Sequence, residues 1–365
     1  MALLAQIVVR TCLGDGESTF RRMMAGAVGA RPLDGIDADL VNVGAGYQIT
    51  GAPAPSATEL LLQCLAPMAE HSEGPRPVVI GTGLREVRPI ERWAVGEGAV
   101  DAGCLDFGKD VTAKLPDLWP VTTISNACSA SGHALAIAQD MVDSGEAAAV
   151  VAAGVDVVAA SMLAMIGRVS QTRTARVRPF DTDRTGVLLG DGAAAALVVA
   201  DDWTGPVVGR LLATGLSCDA FHETAPSEDG IVRAMRDAHR RGGRAAADVD
   251  LIVAHGTGTA LNDPVELGAI AEVFGTADAG PLVTAGKGAV GHTSGAAALV
   301  SLDLAARTLT GDVPAIAGLV RPIAEATGIR LVRSPLRDAT VNLVQVNAFG
   351  FGGVNAVTLL ERIAS

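Results

Sequence analysis

Aromatic side chains are scarce in this sequence: 3% of 365 residues, with one tyrosine, three tryptophans and seven phenylalanines. An interior with so few rings has to be closed by Ala, Val, Leu and Gly in closely spaced layers. Hydrophobic residues still make up 49% and mean hydropathy is +0.36. The 43 glycines therefore mark tight turns and close backbone approaches, not a disordered chain. Positive charge is also short, with 28 Lys and Arg against 40 Asp and Glu and a net charge of −12. That argues against nucleic acid and against an anionic membrane as partners, since both need a basic surface. Two local clusters, Arg168, Arg173, Arg176 and Arg178, and Arg85, Arg88 and Arg92, read either as basic patches or as solvated loop charge.

Cysteines are few: Cys12, Cys64, Cys104, Cys128 and Cys218, an odd number with wide spacings and no CxxC pair. Neither a disulfide framework nor a zinc site follows, and a reducing compartment, the cytoplasm, fits best. The N-terminal run MALLAQIVVR has no basic start and no cleavage pattern, so it reads as a first strand and not a signal peptide. The longest apolar stretch, 147–167, carries Asp156 and is built of Ala, Gly and Val. A carboxylate at mid-span is costly in lipid, so this stretch reads as a buried strand running into a helix. HExxH and GxSxG are absent, GKG at 286–288 lacks the frame of a P-loop, and no third glycine supports a dinucleotide turn at 78–83.

What is present is an alternation of short apolar runs with small-residue helical stretches. Helices are expected at 15–25, 128–142, 264–274 and 292–308, and strands at 77–82, 148–153, 251–254 and 282–285. Two pairs of segments resemble each other. Residues 125–138 and 286–297 each place a reactive side chain near the start of an Ala/Gly helix. Residues 190–201 and 352–361 each read as a glycine turn, a strand and an acidic residue. A duplicated βαβ architecture follows, an α/β fold in α-β-α-β-α layers, with halves 1–205 and 206–365.

Chemistry concentrates in four places. Cys128, in SNACSASG, lies where a strand meets a helix, and free N–H groups there favour the thiolate and can face an oxyanion. Position alone leaves open a small buried cysteine. His255, in HGTGTALNDPVEL, directly follows a strand; Thr257 and Thr259 offer hydroxyls to an amide-rich chain, and a core histidine is the plain alternative. Lys287 and His292, in GKGAVGHTSGAAAL, flank a glycine turn. A buried lysine there needs partners, with Asp263 and Glu266 the nearest by motif, while an exposed turn lysine is the other reading. Phe349 and Phe351 alternate with glycine in FGFGG, either a bulky loop or a hairpin with two core rings.

In order, NACSASG, RPFDTDRTGVLLGDGA, AHGTGTALNDPVE, GKGAVGHTSGAA and NAFGFGGVN resemble the β-ketoacyl synthase family of the thiolase-like superfamily, across residues 125–355. The HGTGT…DPVE form is most similar to the ketosynthases of polyketide synthases. The resemblance implies a duplicated five-layer α-β-α-β-α sandwich and a decarboxylative Claisen condensation. Cys128 would take an acyl chain from the phosphopantetheine of an acyl carrier protein. His255 and His292 would stabilise the enolate of the malonyl-carrier protein, and the Cys128 and Phe351 N–H groups would form an oxyanion hole. Phe351 would gate the two half-reactions, Lys287 would order the site with Glu266, and Arg168 would meet the acidic carrier protein. Two neutral imidazole donors in a dry pocket suit this chemistry without a metal or a protein-bound cofactor.

The resemblance also implies a homodimer or a heterodimer with a sister subunit, paired through the strand at 148–153. The rival functions are an acyltransferase on the same fold and a non-catalytic chain-length subunit, which lacks the cysteine. Two departures stand out: the region before Cys128 is short for the family, and Ser301 stands where many members carry glutamate.

Overall fold

Strands form where β-branched and small residues run without charge. The structure, a computed structural model, describes residues 2–51, 53–70, 74–169, 172–276 and 280–363. Within them Ala149–Asp156 and Gly192–Val199 are buried almost end to end, as continuous Ala/Val runs are when both sheet faces are covered.

From one edge to the other, the main strands run Arg330–Leu331, Leu282–Thr284, Leu251–Val253, Leu343–Gly350, Val354–Glu361, Gly209–Cys218, Leu3–Thr11, Gly192–Val199, Ala149–Asp156, Arg76–Gly81 and Leu118–Ile124. The order repeats. In the C-terminal part Leu282–Thr284, Leu251–Val253 and Leu343–Gly350 are parallel, followed by antiparallel Val354–Glu361 and Gly209–Cys218. In the N-terminal part Leu118–Ile124, Arg76–Gly81 and Ala149–Asp156 are parallel, followed by antiparallel Gly192–Val199 and Leu3–Thr11. A short pairing of Leu3 with Arg210 and Leu4 with Gly209 joins the two sets.

The matching strands Leu118–Ile124 and Leu282–Thr284 feed matching helices, Ala130–Asp143 and Ala297–Thr308. These helices touch each other and strands of both sets, forming the middle layer. Small residues permit that approach: a Cβ on Gly132 would lie 2.8 Å from the Cβ of Ala356. Ala57–Ala69, started by a Ser56/Glu59 capping box, covers one outer face. Glu228–Gly242, capped by Ser227 and closed by left-handed Gly243, covers the other. The result is the α-β-α-β-α sandwich expected from the paired segments.

Several expectations are refined. The 147–167 stretch is a strand, then the helix Ala160–Val169. Among the described residues no helix is long and apolar enough to cross a membrane. The helix expected from His292 starts later, after a 3₁₀ turn at Ser294–Ala296. Arg85 and Arg88 are not free surface charge: Arg85 donates to the Leu105 carbonyl, and Arg88 donates to Pro55 and Val158 carbonyls and pairs with buried Asp191.

One expectation is corrected. The strand at 148–153 cannot pair with a second subunit, because Ala149–Asp156 is hydrogen-bonded on both sides, to Arg76–Gly81 and to Gly192–Val199. The strand at the open edge of that set is Leu118–Ile124, which displays Trp119, 57% exposed.

Candidate active site

Cys128 occupies a single 3₁₀ turn, Ala127–Ser129, between the edge strand and the helix Ala130–Asp143. Ala127 has φ of +48°, a left-handed value unfavourable for a residue with a Cβ. The surroundings hold that bend: Ser129 Oγ donates to the Asn126 carbonyl at 3.1 Å and the Val354 carbonyl at 2.9 Å. The bend turns the Cys128 side chain toward the ends of the C-terminal strands.

The expected thiolate is not the resting form. Burial pushes the Cys128 thiol up to about 11, while the Lys287 ammonium and the backbone N–H groups of Phe351 and Cys128 pull it down. Desolvation wins because the sulfur is buried and the lysine charge and two N–H groups offset only part of that cost. The backbone N–H groups of Cys128 and Phe351 both act on the sulfur.

His255 follows the strand Leu251–Val253 and is buried. Its N–H donates to Glu266 Oε1 at 2.7 Å, and its carbonyl accepts from Lys287 Nζ at 2.6 Å. The Phe349 N–H points at His255 Nδ1 at 3.3 Å, and Lys287 Nζ lies 3.2 Å from the same atom. A backbone N–H can only donate, so Nδ1 holds a lone pair and the ring proton sits on Nε2. His292 has the same arrangement, since the Ser294 N–H donates to its Nδ1 at 3.2 Å. Its Nε2 is buried with no hydrogen-bond partner.

The two rings stand edge to face, with centroids 5.4 Å apart and planes at 88°. Burial first and the Lys287 charge second hold both pKa values well below the usual histidine range, and His292 depresses His255 further. The site thus offers two neutral Nε2–H donors from different loops.

Lys287 joins the pieces, because its charge acts on the Cys128 sulfur and on both rings. Burial lowers its own pKa to about 8, while Glu266, Cys128 and Asp263 raise it. The expected direct Lys287–Glu266 pair is not what forms. Lys287 turns to the His255 carbonyl and ring. Glu266 accepts instead from four N–H donors: His255 and Gly256 of the backbone, and the side chains of Asn262 and Asn347. Its charge reaches Lys287 only at longer range.

The remaining expected residues divide. Asp263 is fully buried, accepts from the Phe180 N–H at 2.6 Å and the Gly258 N–H at 3.1 Å, and is pushed up to about 6 by burial. Thr257 and Thr259 bond each other at 2.9 Å, and Thr257 also reaches Asp263. Phe349 is buried against His255, with ring centroids 5.5 Å apart, whereas Phe351 is 43% exposed. Arg168 lies exposed on the helix Ala160–Val169 and joins none of these bonds. Where Ser301 stands, it lines a cavity of about 20 Å³ with Lys287 and Asp303, and Asp303 Oδ1 has no partner.

Sequence reasoning missed Asp156, Asn347, Gln345 and His239. Asp156 accepts from the Thr82 hydroxyl and the N–H groups of Gly83, Leu84 and Gly295, locking the two elbow regions together. A signal existed, because one carboxylate in an Ala/Gly/Val run has to be partnered.

Comparison with known proteins shows what the chain is similar to. Two family models match: Beta-ketoacyl synthase, N-terminal domain, over residues 120–202, and Beta-ketoacyl synthase, C-terminal domain, over 208–316. The chain is 34% identical over 260 residues to the 3-oxoacyl-[acyl-carrier-protein] synthase 2 of Rhizobium meliloti (strain 1021), covering 67% of this chain and 61% of that one. The chain therefore spans about three fifths of the length of that relative. It is 30% identical over 301 residues to Nodulation protein E of Rhizobium sp. (strain N33), covering 78% and 74%. Among solved structures, the ishigamide ketosynthase/chain length factor aligns with TM-score 0.88 and 26% identity, over 100% of this chain and 99% of that one. A β-ketoacyl synthase from Burkholderia phymatum STM815 aligns with TM-score 0.90 and 20% identity over 100% and 99%, a likeness of fold.

Proposed function

Since the chain belongs to the β-ketoacyl synthase family, we propose that it catalyses decarboxylative Claisen condensation between an acyl group on Cys128 and a malonyl group on an acyl carrier protein. The pantetheine thioester first passes its acyl group to Cys128 sulfur, and the proton of the thiol leaves with the pantetheine sulfur. The acyl carbonyl oxygen is held by the N–H groups of Cys128 and Phe351. A malonyl thioester then loses CO2, and its electrons move onto the thioester oxygen. The enolate carbon attacks the Cys128 acyl group, a C–C bond forms, and the cysteine sulfur leaves.

The observation that carries this reading is the pair of buried, neutral histidines that both keep the proton on Nε2. An enolate oxygen needs donors, not bases, and two N–H groups on rings whose centroids lie 5.4 Å apart can share one oxygen. Cys128, acted on by the same Lys287 charge as both rings, favours this reading over a non-catalytic chain-length subunit. Thr257, Thr259 and Phe349 would line the pantetheine path, Phe351 would gate it, and Arg168 would meet the carrier protein. Phosphopantetheine arrives on the carrier, and the protein binds no cofactor of its own.

We read the chain as halves 1–205 and 206–365, in line with the repeated strand order. A homodimer, or a heterodimer with a ketosynthase-like subunit, would pair through the open edge Leu118–Ile124. The cytoplasm is the expected location, and all five cysteines are free.

The test mixes the protein with acyl- and malonyl-carrier protein and follows mass. Loss of CO2 with a chain two carbons longer supports condensation. Acyl transfer to an alcohol or amine without CO2 loss would assign the acyltransferase reading instead.

A further inference from the structure

Four buried side chains form a chain of hydrogen bonds behind His255 that the proposed chemistry does not use. His239 Nε2 lies 2.8 Å from Gln345 Oε1, and Gln345 Nε2 donates to Asn347 Oδ1 at 2.9 Å. Asn347 Nδ2 donates to Glu266 Oε1 at 3.0 Å, the same oxygen that accepts the His255 N–H at 2.7 Å. Gln345, Asn347 and Glu266 are at most 1% exposed and His239 is 8% exposed.

The direction of the chain is forced. Glu266 meets N–H donors on every side, so Asn347 turns its NH2 inward and its carbonyl outward. Gln345 must then give its NH2 to Asn347 and show its carbonyl to His239, which leaves His239 Nε2 as a donor. Every dipole points at the Glu266 carboxyl, and bonds aligned in this way strengthen one another in a dry interior. Glu266 holds the N–H groups of both His255 and Gly256, where the backbone turns through a left-handed glycine with φ of +46°. Its aim decides how the His255 ring is presented.

We propose that His239 and Gln345 are positioning residues for the reaction, acting on His255 through Asn347 and Glu266. The role rests on the condensation reading above, but the geometry can be tested without it. His239 enters from the last turn of the helix Glu228–Gly242, and Gln345 from the strand Leu343–Gly350, so the outer helical layer is tied to the site. The Phe274 ring packs against His239 edge-on at 5.5 Å and limits its rotation.

The test compares three variants. Gln345→Met keeps volume and cuts the chain in the middle. His239→Leu cuts it at the rim, where a change is better tolerated should Gln345→Met not fold. His239→Gln keeps a side-chain N–H within reach of Gln345. With ¹⁵N-labelled histidine, the His255 ring signals of the free protein should move in the first two variants and stay in place in the third. Release of CO2 from malonyl-carrier protein should fall about tenfold in kcat with KM little changed, as expected for a small misplacement of a donor. His239→Gln should recover at least half of the rate, and acylation of Cys128 should be unaffected in all three.

Unmoved His255 signals in folded Gln345→Met or His239→Leu protein would overturn the proposal. So would a parallel loss of acylation, decarboxylation and melting temperature, which marks a purely structural network, or an equal loss in His239→Gln. If the unaltered protein releases no CO2, the condensation reading fails, and the ring signals alone decide whether the chain positions His255.

Discussion

Replacing His292 by asparagine separates the two tasks of that ring. The asparagine Oδ1 falls where Nδ1 sits, so the Ser294 N–H keeps its acceptor. Nothing takes the place of Nε2, which in the free protein is a buried donor without a partner. Leaving such a donor unpaired costs about 1–3 kcal/mol, and the expense is recovered when a substrate oxygen arrives. Removing one donor aimed at a developing oxyanion costs about 10²–10³ in rate, on the order of 2.7–4 kcal/mol.

Stability should behave differently. The orphaned Nε2–H is exchanged for the buried amide NH2 of asparagine, and some packing is lost with the ring, a net cost of about 1–2 kcal/mol for a change of this size. Unfolding entropy of about 2.1 cal/mol/K per residue gives this 365-residue chain roughly 0.8 kcal/mol/K. A net change of about 1 kcal/mol therefore moves melting by only about 1–2 °C. The assay is CO2 release from malonyl-carrier protein beside calorimetry of the same sample. A hundredfold loss with near-constant melting is expected. Decarboxylation within about threefold of the unaltered protein, in a folded variant, would show that His292 Nε2 does not meet the enolate.

Alkylation of Cys128 by iodoacetamide should rise about tenfold per pH unit from neutrality toward pH 10, because only the thiolate attacks and the thiol is pushed up to about 11; a plateau below pH 8 would contradict this. Lys287→Met should slow that labelling at pH 7, since the ammonium lowers the thiol pKa. The difference should fade above about pH 8, where the lysine loses its proton. Gly81→Ala would put a Cβ 2.3 Å from the Ala130 backbone carbon and 2.4 Å from the Ser131 nitrogen. A cost of about 1–3 kcal/mol in thermal unfolding, together with slower acylation of Cys128, should follow, and unfolding like that of the parent would show that strand and helix have slack. Trp119→Asp, on the open edge strand, should shift sedimentation from dimer toward monomer; an unchanged mass would place the interface elsewhere.

Much of the fold was legible because its signals are local. Ala/Val runs predicted buried strands, and an Ala/Gly stretch after a reactive residue predicted the two central helices. The pairing of segments predicted a repeated architecture, which the mirrored strand orders show. The strand at 148–153, which the resemblance implied as the dimer edge, is paired on both sides, and a strand's own residues say nothing of which strands flank it. The site was legible in its residue types but not in its bonds. Glu266 was expected on Lys287, yet it serves the His255 and Gly256 amides. His239 and Gln345 carried no motif at all.

Residue identity and short-range turn chemistry, both written along the chain, determined which groups could react: one cysteine at an elbow, two histidines beside glycines, and a lysine between them. Tertiary structure decided what state those groups are in. The Nε2–H tautomer of His255 depends on the N–H of Phe349, 94 positions away. The protonated Cys128 depends on burial by both halves of the molecule, and the open edge at Leu118–Ile124 depends on strand order. Hydrogen-bond partners and desolvation are set by what packs nearby in space, and that information exists only once the chain has closed.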